Sequence, residues 1–326
     1  MTALIFIVSL PRSGSTLLQR MLSASPEIAS SAEPWLMLPL WAMREPTAGS
    51  AVYSHYTAAT AINDFIEQIP DGEHRFDSAM REFALSLYDA SAQGRRYFLD
   101  KTPRYYLLIP QLQRLFPDAR FVFLLRHPLA TLASIAETFN NGRFRWFEYW
   151  IDWVEGHRCM ADGIRNQRAS CRIVHYEGLT ADPVATLRGL CDWLDVPFTP
   201  EMVSSYTKNE LHGRMGDDRG IIQYTGVTGQ SVSKWRTFFA GKYRKRVAGA
   251  MIRRLDGADL EVLGYPKTEL LQAVEELPTQ PILDISARVD AVINWVAYHV
   301  DYRYVQARYR AAKRGEKYAS GFYRKN

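Results

Sequence analysis

Arg12, Ser13, Ser15 and Thr16 crowd a guanidinium and three hydroxyls around one glycine, Gly14, in the run Pro11-Arg12-Ser13-Gly14-Ser15-Thr16. That set of side chains suits an oxyanion. An apolar, strand-like run from Leu4 to Val8 enters the segment, and Leu17, Leu18, Met21 and Leu22 leave it at helix-compatible spacing. Strand, tight turn, helix is the layout of a phosphate-binding loop. The glycine lets the backbone approach an anion, and the helix N-terminus adds aligned N–H donors and a partial positive charge. Arg12 adds a forked cation. The nucleotide-kinase loop, Gly-x-x-x-x-Gly-Lys-[Ser/Thr], is absent because no Lys follows Gly14. An ordinary strand–helix turn whose hydroxyls cap the helix would use the same residues.

Two further cations stand at the ends of apolar runs. Phe121-Val122-Phe123-Leu124-Leu125 is apolar on both faces, as a strand inside a covered parallel sheet would be, and it ends in Arg126-His127-Pro128. Open α/β sheets place ligands at that end of their strands. Ser134 follows eight positions later, about two turns along the next helix. Lys101 closes the run Tyr97–Asp100, just before Thr102-Pro103. Each has a plainer reading: Arg126 as a surface residue starting a helix, Lys101 as a solvated partner of Asp100.

Pro-Arg-Ser-Gly-Ser-Thr resembles the 5′-phosphosulfate loop of sulfotransferases that use 3′-phosphoadenosine-5′-phosphosulfate (PAPS). Arg126 and Ser134 resemble the 3′-phosphate pair of that family. Val174-His175-Tyr176-Glu177-Gly178-Leu179 resembles its Tyr-Glu-x-Leu element, which places the Tyr near the nucleotide and the Glu at the following turn. Ser233-Lys234-Trp235, after a glycine-rich stretch, resembles the Lys-Trp of the segment that covers the nucleotide. The motifs come in family order over residues 3–266, and they are most like those of bacterial sulfotransferases, including the polyketide-associated ones, and of the tyrosylprotein branch.

The resemblance implies a P-loop-like α/β fold, a three-layer sandwich with a central, mostly parallel sheet flanked by helices. It implies transfer of the sulfuryl group of PAPS to a hydroxyl, release of 3′-phosphoadenosine-5′-phosphate (PAP), and no need for a metal. Arg12, Ser13, Gly14, Ser15, Thr16, Arg126, Ser134, Tyr176, Lys234 and Trp235 would bind the donor. Lys101 would contact the transferring or bridging oxygens. Glu33, in Ser-Ser-Ala-Glu-Pro-Trp, stands where the tyrosylprotein and glycan branches carry their general base; a surface Glu before Pro34 is the plainer reading. The Lys-Thr-His pattern of the animal cytosolic branch is broken by Pro103, which leaves His127 and His212 as reserve bases.

These residues need a frame. Strands are expected near 3–9, 96–100, 120–126 and 171–176. Helices are expected near 15–24, 76–92, 106–115, 129–138, 144–166, 183–194 and 242–255. At 326 residues and 47% hydrophobic content, the chain is read as one sulfotransferase domain over 1–266, with 40–95 as an acceptor-pocket insertion and 267–326 as a helical, basic appendage. Val289, Val292, Ile293, Val296 and Val300 recur at helical spacing in that appendage. Burial on the domain's own surface, a homodimer contact and attachment to an anionic membrane surface all fit the stripe, with burial on the domain or a second copy favoured. Of the net charge of +5, residues 302–326 carry +7, so the basicity belongs to the tail and not to a nucleic-acid groove across the fold. The N-terminus lacks a basic n-region and the three cysteines lack Cys-x-x-Cys spacing, which suggests a cytoplasmic protein with reduced thiols.

Two other classes compete with a sulfotransferase: a P-loop kinase or NTPase with a degenerate loop, and a non-catalytic PAP-binding module. The acceptor is open among small molecules, lipids, glycans and peptides.

Overall fold

The computed structural model describes residues 2–44, 55–166, 170–208, 211, 230–279 and 285–300. Five parallel strands form one sheet in the order β2-β3-β1-β4-β5: β1 Ala3–Ser9, β2 Ile28–Ser30, β3 Tyr97–Asp100, β4 Arg120–Leu125 and β5 Cys171–His175. β1 is central. Ile5, Phe6, Ile7 and Val8 have no exposure at all, which explains why the strand is continuously apolar: helices cover both of its faces.

The two faces have separate cores. On one, Phe6, Val8, Phe98, Phe121 and Phe123 meet Met80, Ala84 and Tyr88 of the Gly72–Ala92 helix, and Met160 and Ile164 of the Trp150–Asn166 helix. On the other, Ile5, Ile7, Leu99, Val122 and Leu124 meet Leu18, Met21 and Leu22 of the Ser15–Ser23 helix, and Leu187, Leu190 and Leu194 of the Pro183–Leu194 helix. Pro183 opens that last helix, and Asp182 caps it by accepting from the Ala185 N–H at 2.9 Å. The result is the helix–sheet–helix sandwich that the resemblance implied. A third cluster joins the Pro128–Phe139 helix to the helices Gln230–Phe238, Lys242–Arg253 and Lys267–Glu275, and Leu270, Val274 and Leu277 are buried in it.

The helix Ile285–Val300 corrects one expectation. Val289, Val292 and Val296 of its stripe do not face the domain. Asp290 and Asn294 do, with 0% and 1% exposure. Asp290 accepts from Arg143 Nε at 2.9 Å and from the Phe144 N–H at 3.0 Å, and Asn294 donates to the Phe144 carbonyl at 2.7 Å. These bonds fix the roll of the helix, so Val289, Val292 and Val296, on the same stripe, are exposed. Residues 301–326 lie outside the described residues, as do 45–54 of the expected insertion. Among the described residues no helix is long and apolar enough to cross a membrane.

The strands end where the chemistry begins. Strand ends Ser9, Asp100, Leu125 and His175 are followed within a few residues by Arg12, Lys101, Arg126 and Tyr176. After β1 the chain runs towards β2 on one side, and after β4 it runs towards β5 on the other. The crevice between β1 and β4 is therefore a topological switch point, the place where open parallel sheets hold ligands.

Candidate active site

The loop after β1 is shaped by two left-handed residues, Arg12 at φ 66° and Gly14 at φ 92°. Only glycine fits at 14, because a Cβ there would lie 2.4 Å from two ring carbons of Tyr176. The Ser13 N–H donates to the Leu10 carbonyl at 3.3 Å and closes the turn. The Ser15–Ser23 helix then begins at Gly14 with no side-chain cap on its first N–H groups, which have no partners within a helix.

Arg126 braces this loop from β4. Its Nη1 donates to the Arg12 carbonyl at 2.7 Å, and its Nη2 donates to the Ser231 carbonyl at 2.9 Å. Its guanidinium lies 4.4 Å from the centroid of the Tyr176 ring. The Tyr176 hydroxyl and Ser231 Oγ share a hydrogen bond of 2.7 Å. Arg12, in turn, extends Nε to within 3.5 Å of Ser134 Oγ. Arg126 and Ser134, expected to share a phosphate, are thus each linked to Arg12, Arg126 at its carbonyl and Ser134 at its side chain.

A second group forms at the end of β3. Lys101 Nζ donates to Glu33 Oε1 at 2.6 Å and lies 3.4 Å from Thr16 Oγ1. The side chains are 2% and 10% exposed, so the ion pair is largely withdrawn from water. Trp35 Nε1 donates to Glu33 Oε2 at 3.2 Å. The Trp35 backbone N–H donates to Thr102 Oγ1 at 3.2 Å, and Thr102 donates to Asp100 Oδ1 at 2.9 Å. Asp100 Oδ2 accepts from Tyr88 at 2.6 Å and from Tyr105 at 2.9 Å. Burial pushes the Asp100 carboxyl up, against the three hydroxyl donors and the nearby Lys101 charge that pull it down.

The remaining expected residues fall around this centre. Trp235 is buried and stacks on His127 with centroids 4.4 Å apart and planes 18° apart. Tyr265 closes the other edge of the His127 ring at 6.0 Å. Glu177 accepts from the His127 N–H at 2.9 Å and from the Tyr265 hydroxyl at 2.9 Å, which ties the start of the Pro128–Phe139 helix to β5. Burial lowers His127 to about 4, ahead of the opposing pull of Glu177. Walled in by two aromatic rings, His127 is poorly placed as a reserve base. Lys234, next to Trp235 on the Gln230–Phe238 helix, is exposed. His212 lies outside the described residues.

Two residues with clear partners went unread in the sequence: Ser231 bridges Arg126 and Tyr176, and Trp35 holds Glu33. Asp100, read only as a possible partner of Lys101, anchors the strand end through Tyr88, Thr102 and Tyr105. Trp35 stands two residues after Glu33, but no spacing rule couples an indole to a carboxylate across a proline.

A family model described as "Sulfotransferase family" matches residues 4–200, a span that contains the Arg12 loop, Glu33, Lys101, Arg126, Ser134 and Tyr176. The chain belongs to the Sulfotransferase family. Among curated relatives, the nodulation protein NoeE of Sinorhizobium fredii is 36% identical over 306 residues, covering 81% of this chain and 66% of that protein. Protein-tyrosine sulfotransferase 1 of Danio rerio is 25% identical over 245 residues, covering 71% and 65%. This family member thus spans about two thirds of the length of these relatives. Among solved structures, the sulfotransferase domain from the Synechococcus PCC 7002 olefin synthase shares the fold, with a TM-score of 0.51 and 24% identity over 72% of this chain and 88% of that one.

The Arg12 loop meets Lys101 through Thr16 Oγ1 and meets Arg126 through the Arg12 carbonyl, so three cations gather at the ends of β1, β3 and β4. Among the described residues, no group of three or more His, Cys, Asp or Glu side chains is arranged to hold a metal ion.

Proposed function

We propose that the chain transfers the sulfuryl group of PAPS to the hydroxyl of an acceptor and releases PAP. The observation that carries this reading is the meeting of Lys101 Nζ with Glu33 Oε1 at 2.6 Å and with Thr16 Oγ1 at 3.4 Å. A carboxylate able to take a proton, a cation able to hold a leaving phosphate and an anion-binding loop share one spot.

In this reading Glu33 takes the proton of the acceptor hydroxyl as its oxygen attacks the sulfur. A new S–O bond forms as the S–O bond to the 5′-phosphate breaks. Lys101, Arg12 and the N–H groups of the first helical turn carry the charge left on that phosphate, the positioning and electrostatic work a group transfer demands. Arg126 and Ser134 hold the 3′-phosphate, and Tyr176 packs on Gly14 beside the nucleotide. Lys234 and Trp235 belong to the segment that covers it, with Trp235 packed against His127. The cations named are all side chains, so turnover should survive a metal chelator.

The name of the Danio rerio relative, a protein-tyrosine sulfotransferase, supports a hydroxyl acceptor without narrowing it for this chain. The test is a rise in melting temperature with PAP, followed by a screen of small-molecule, lipid, glycan and tyrosyl-peptide acceptors with labelled PAPS. Sulfated product from any hydroxyl class supports the reading. PAP binding with no transfer to any of them would leave a nucleotide-binding module.

A further inference from the structure

From the hydrogen bonds of Trp35 we infer that this residue is the positioning residue of Glu33, holding one carboxylate oxygen so that the other faces the transfer; the inference rests on the proposed role of Glu33 as base. Two hydrogen bonds and a backbone angle meet in this residue. Its indole Nε1 donates to Glu33 Oε2 at 3.2 Å. Its backbone N–H donates to Thr102 Oγ1 at 3.2 Å. Its φ is +54°, a conformation a bulky residue adopts only where its surroundings over-determine it.

The division of labour between the two oxygens follows. Oε1 faces Lys101 and the Thr16 side of the site, where the sulfur would stand, and Oε2 faces Trp35. When Lys101 turns to the leaving phosphate, Oε1 is released for the acceptor proton, and the indole bond is what keeps the carboxylate from rotating. A carboxylate held at one oxygen presents the other in a fixed direction, the kind of preorganisation that acts on turnover more than on binding.

The strap beneath Trp35 is rigid. Thr102 hands its own proton to Asp100, which also accepts from Tyr88 and Tyr105, and Tyr105 accepts from the Met37 N–H at 3.2 Å. The segment from Trp35 to Met37 is therefore tied at two points to the strand end that carries Lys101. Base and cation are referenced to the same buried carboxylate.

The experiment is a double-mutant cycle in the full chain. Trp35→Phe keeps the ring and removes the indole N–H. It should lower kcat roughly ten- to hundredfold, the scale of a lost hydrogen bond to a charged group, with PAP affinity and melting temperature near wild type. In a Glu33→Gln background the same substitution should lower kcat by less than about twofold, because nothing is left to position. Thr102→Val should reproduce the kcat loss by freeing the backbone strap, and Thr102→Ser should restore it. The positioning role is overturned if Trp35→Phe leaves kcat unchanged while Glu33→Gln abolishes it, or if the Trp35→Phe loss is undiminished in the Glu33→Gln background. If Glu33→Gln itself keeps full turnover, the base assignment fails first and the positioning role falls with it, an outcome the cycle separates from the other two.

Discussion

Lys101 Nζ lies 2.6 Å from Glu33 Oε1, with the ammonium 2% and the carboxylate 10% exposed. The two groups proposed to split the work of the reaction, one on the leaving phosphate and one on the acceptor, begin as each other's counter-ion. Taking two charges out of water costs several kcal/mol per ion, and the pair recovers it only while both partners stay.

Removing one partner should therefore destabilise the fold more than removing both. Lys101→Met leaves a largely buried carboxylate without its cation and should cost about 3–5 kcal/mol. The double variant Lys101→Met/Glu33→Gln should cost less than the sum of the single changes. Urea denaturation of the three variants checks this; strictly additive costs would show that the pair is not energetically coupled.

Arg126→Ala should weaken PAP by about 1.5–3 kcal/mol, the scale of a hydrogen bond to a charged group. Adenosine 5′-phosphate, which lacks the 3′-phosphate, should lose much less. Calorimetric titration of both nucleotides decides the matter. Equal losses would mean that Arg126 acts only as the brace seen on the Arg12 and Ser231 carbonyls.

Gly14→Ala should damage both fold and donor site. The added methyl would meet the Tyr176 ring at 2.4 Å, and the φ of 92° disfavours any side chain. Overpacking and backbone strain together should cost about 2–4 kcal/mol. Relieving the clash with Tyr176→Ala should recover part of the melting temperature but not the PAP affinity, since Tyr176 also stacks on Arg126. Full recovery of binding would contradict a donor role for the ring.

Stability should fall as pH drops from about 6.5 towards 4. Burial lowers His127 and His157 to about 4 from 6.5. Between those values the unfolded chain takes up protons that the folded one refuses, so stability rises with pH across that window and is fully present above it. Each histidine contributes on the order of 3 kcal/mol to the change. Melting curves between pH 4 and 8 for wild type and His127→Phe check this. An unchanged slope in the variant would mean His127 is not held neutral.

The parts of the site that could be read in the sequence are those set by neighbours along the chain. The Arg12 loop is a local strand–turn–helix, and Arg126 and Lys101 sit at the ends of strands whose apolar runs mark them. What the sequence hid is set by contacts across the fold. Which guanidinium meets Ser134 depends on Arg126 bonding to the Arg12 and Ser231 carbonyls, a through-space choice. β2 has three residues, too few to show an alternation. Of the burials expected for the Ile285–Val300 stripe, packing on the domain itself is not seen for Val289, Val292 and Val296. Periodicity counts apolar side chains. It cannot see that Arg143 and the Phe144 backbone satisfy a buried Asp290 and Asn294.

The most direct measurement of the central claim is single-turnover transfer from labelled PAPS to an acceptor hydroxyl, comparing wild type with Glu33→Gln. The substitution keeps size and hydrogen bonding but removes the base. Transfer should fall about 10²–10⁴-fold while PAP affinity changes little. Transfer by the variant at close to the wild-type rate would contradict the account, because the carboxylate beside Lys101 would then have no part in the reaction.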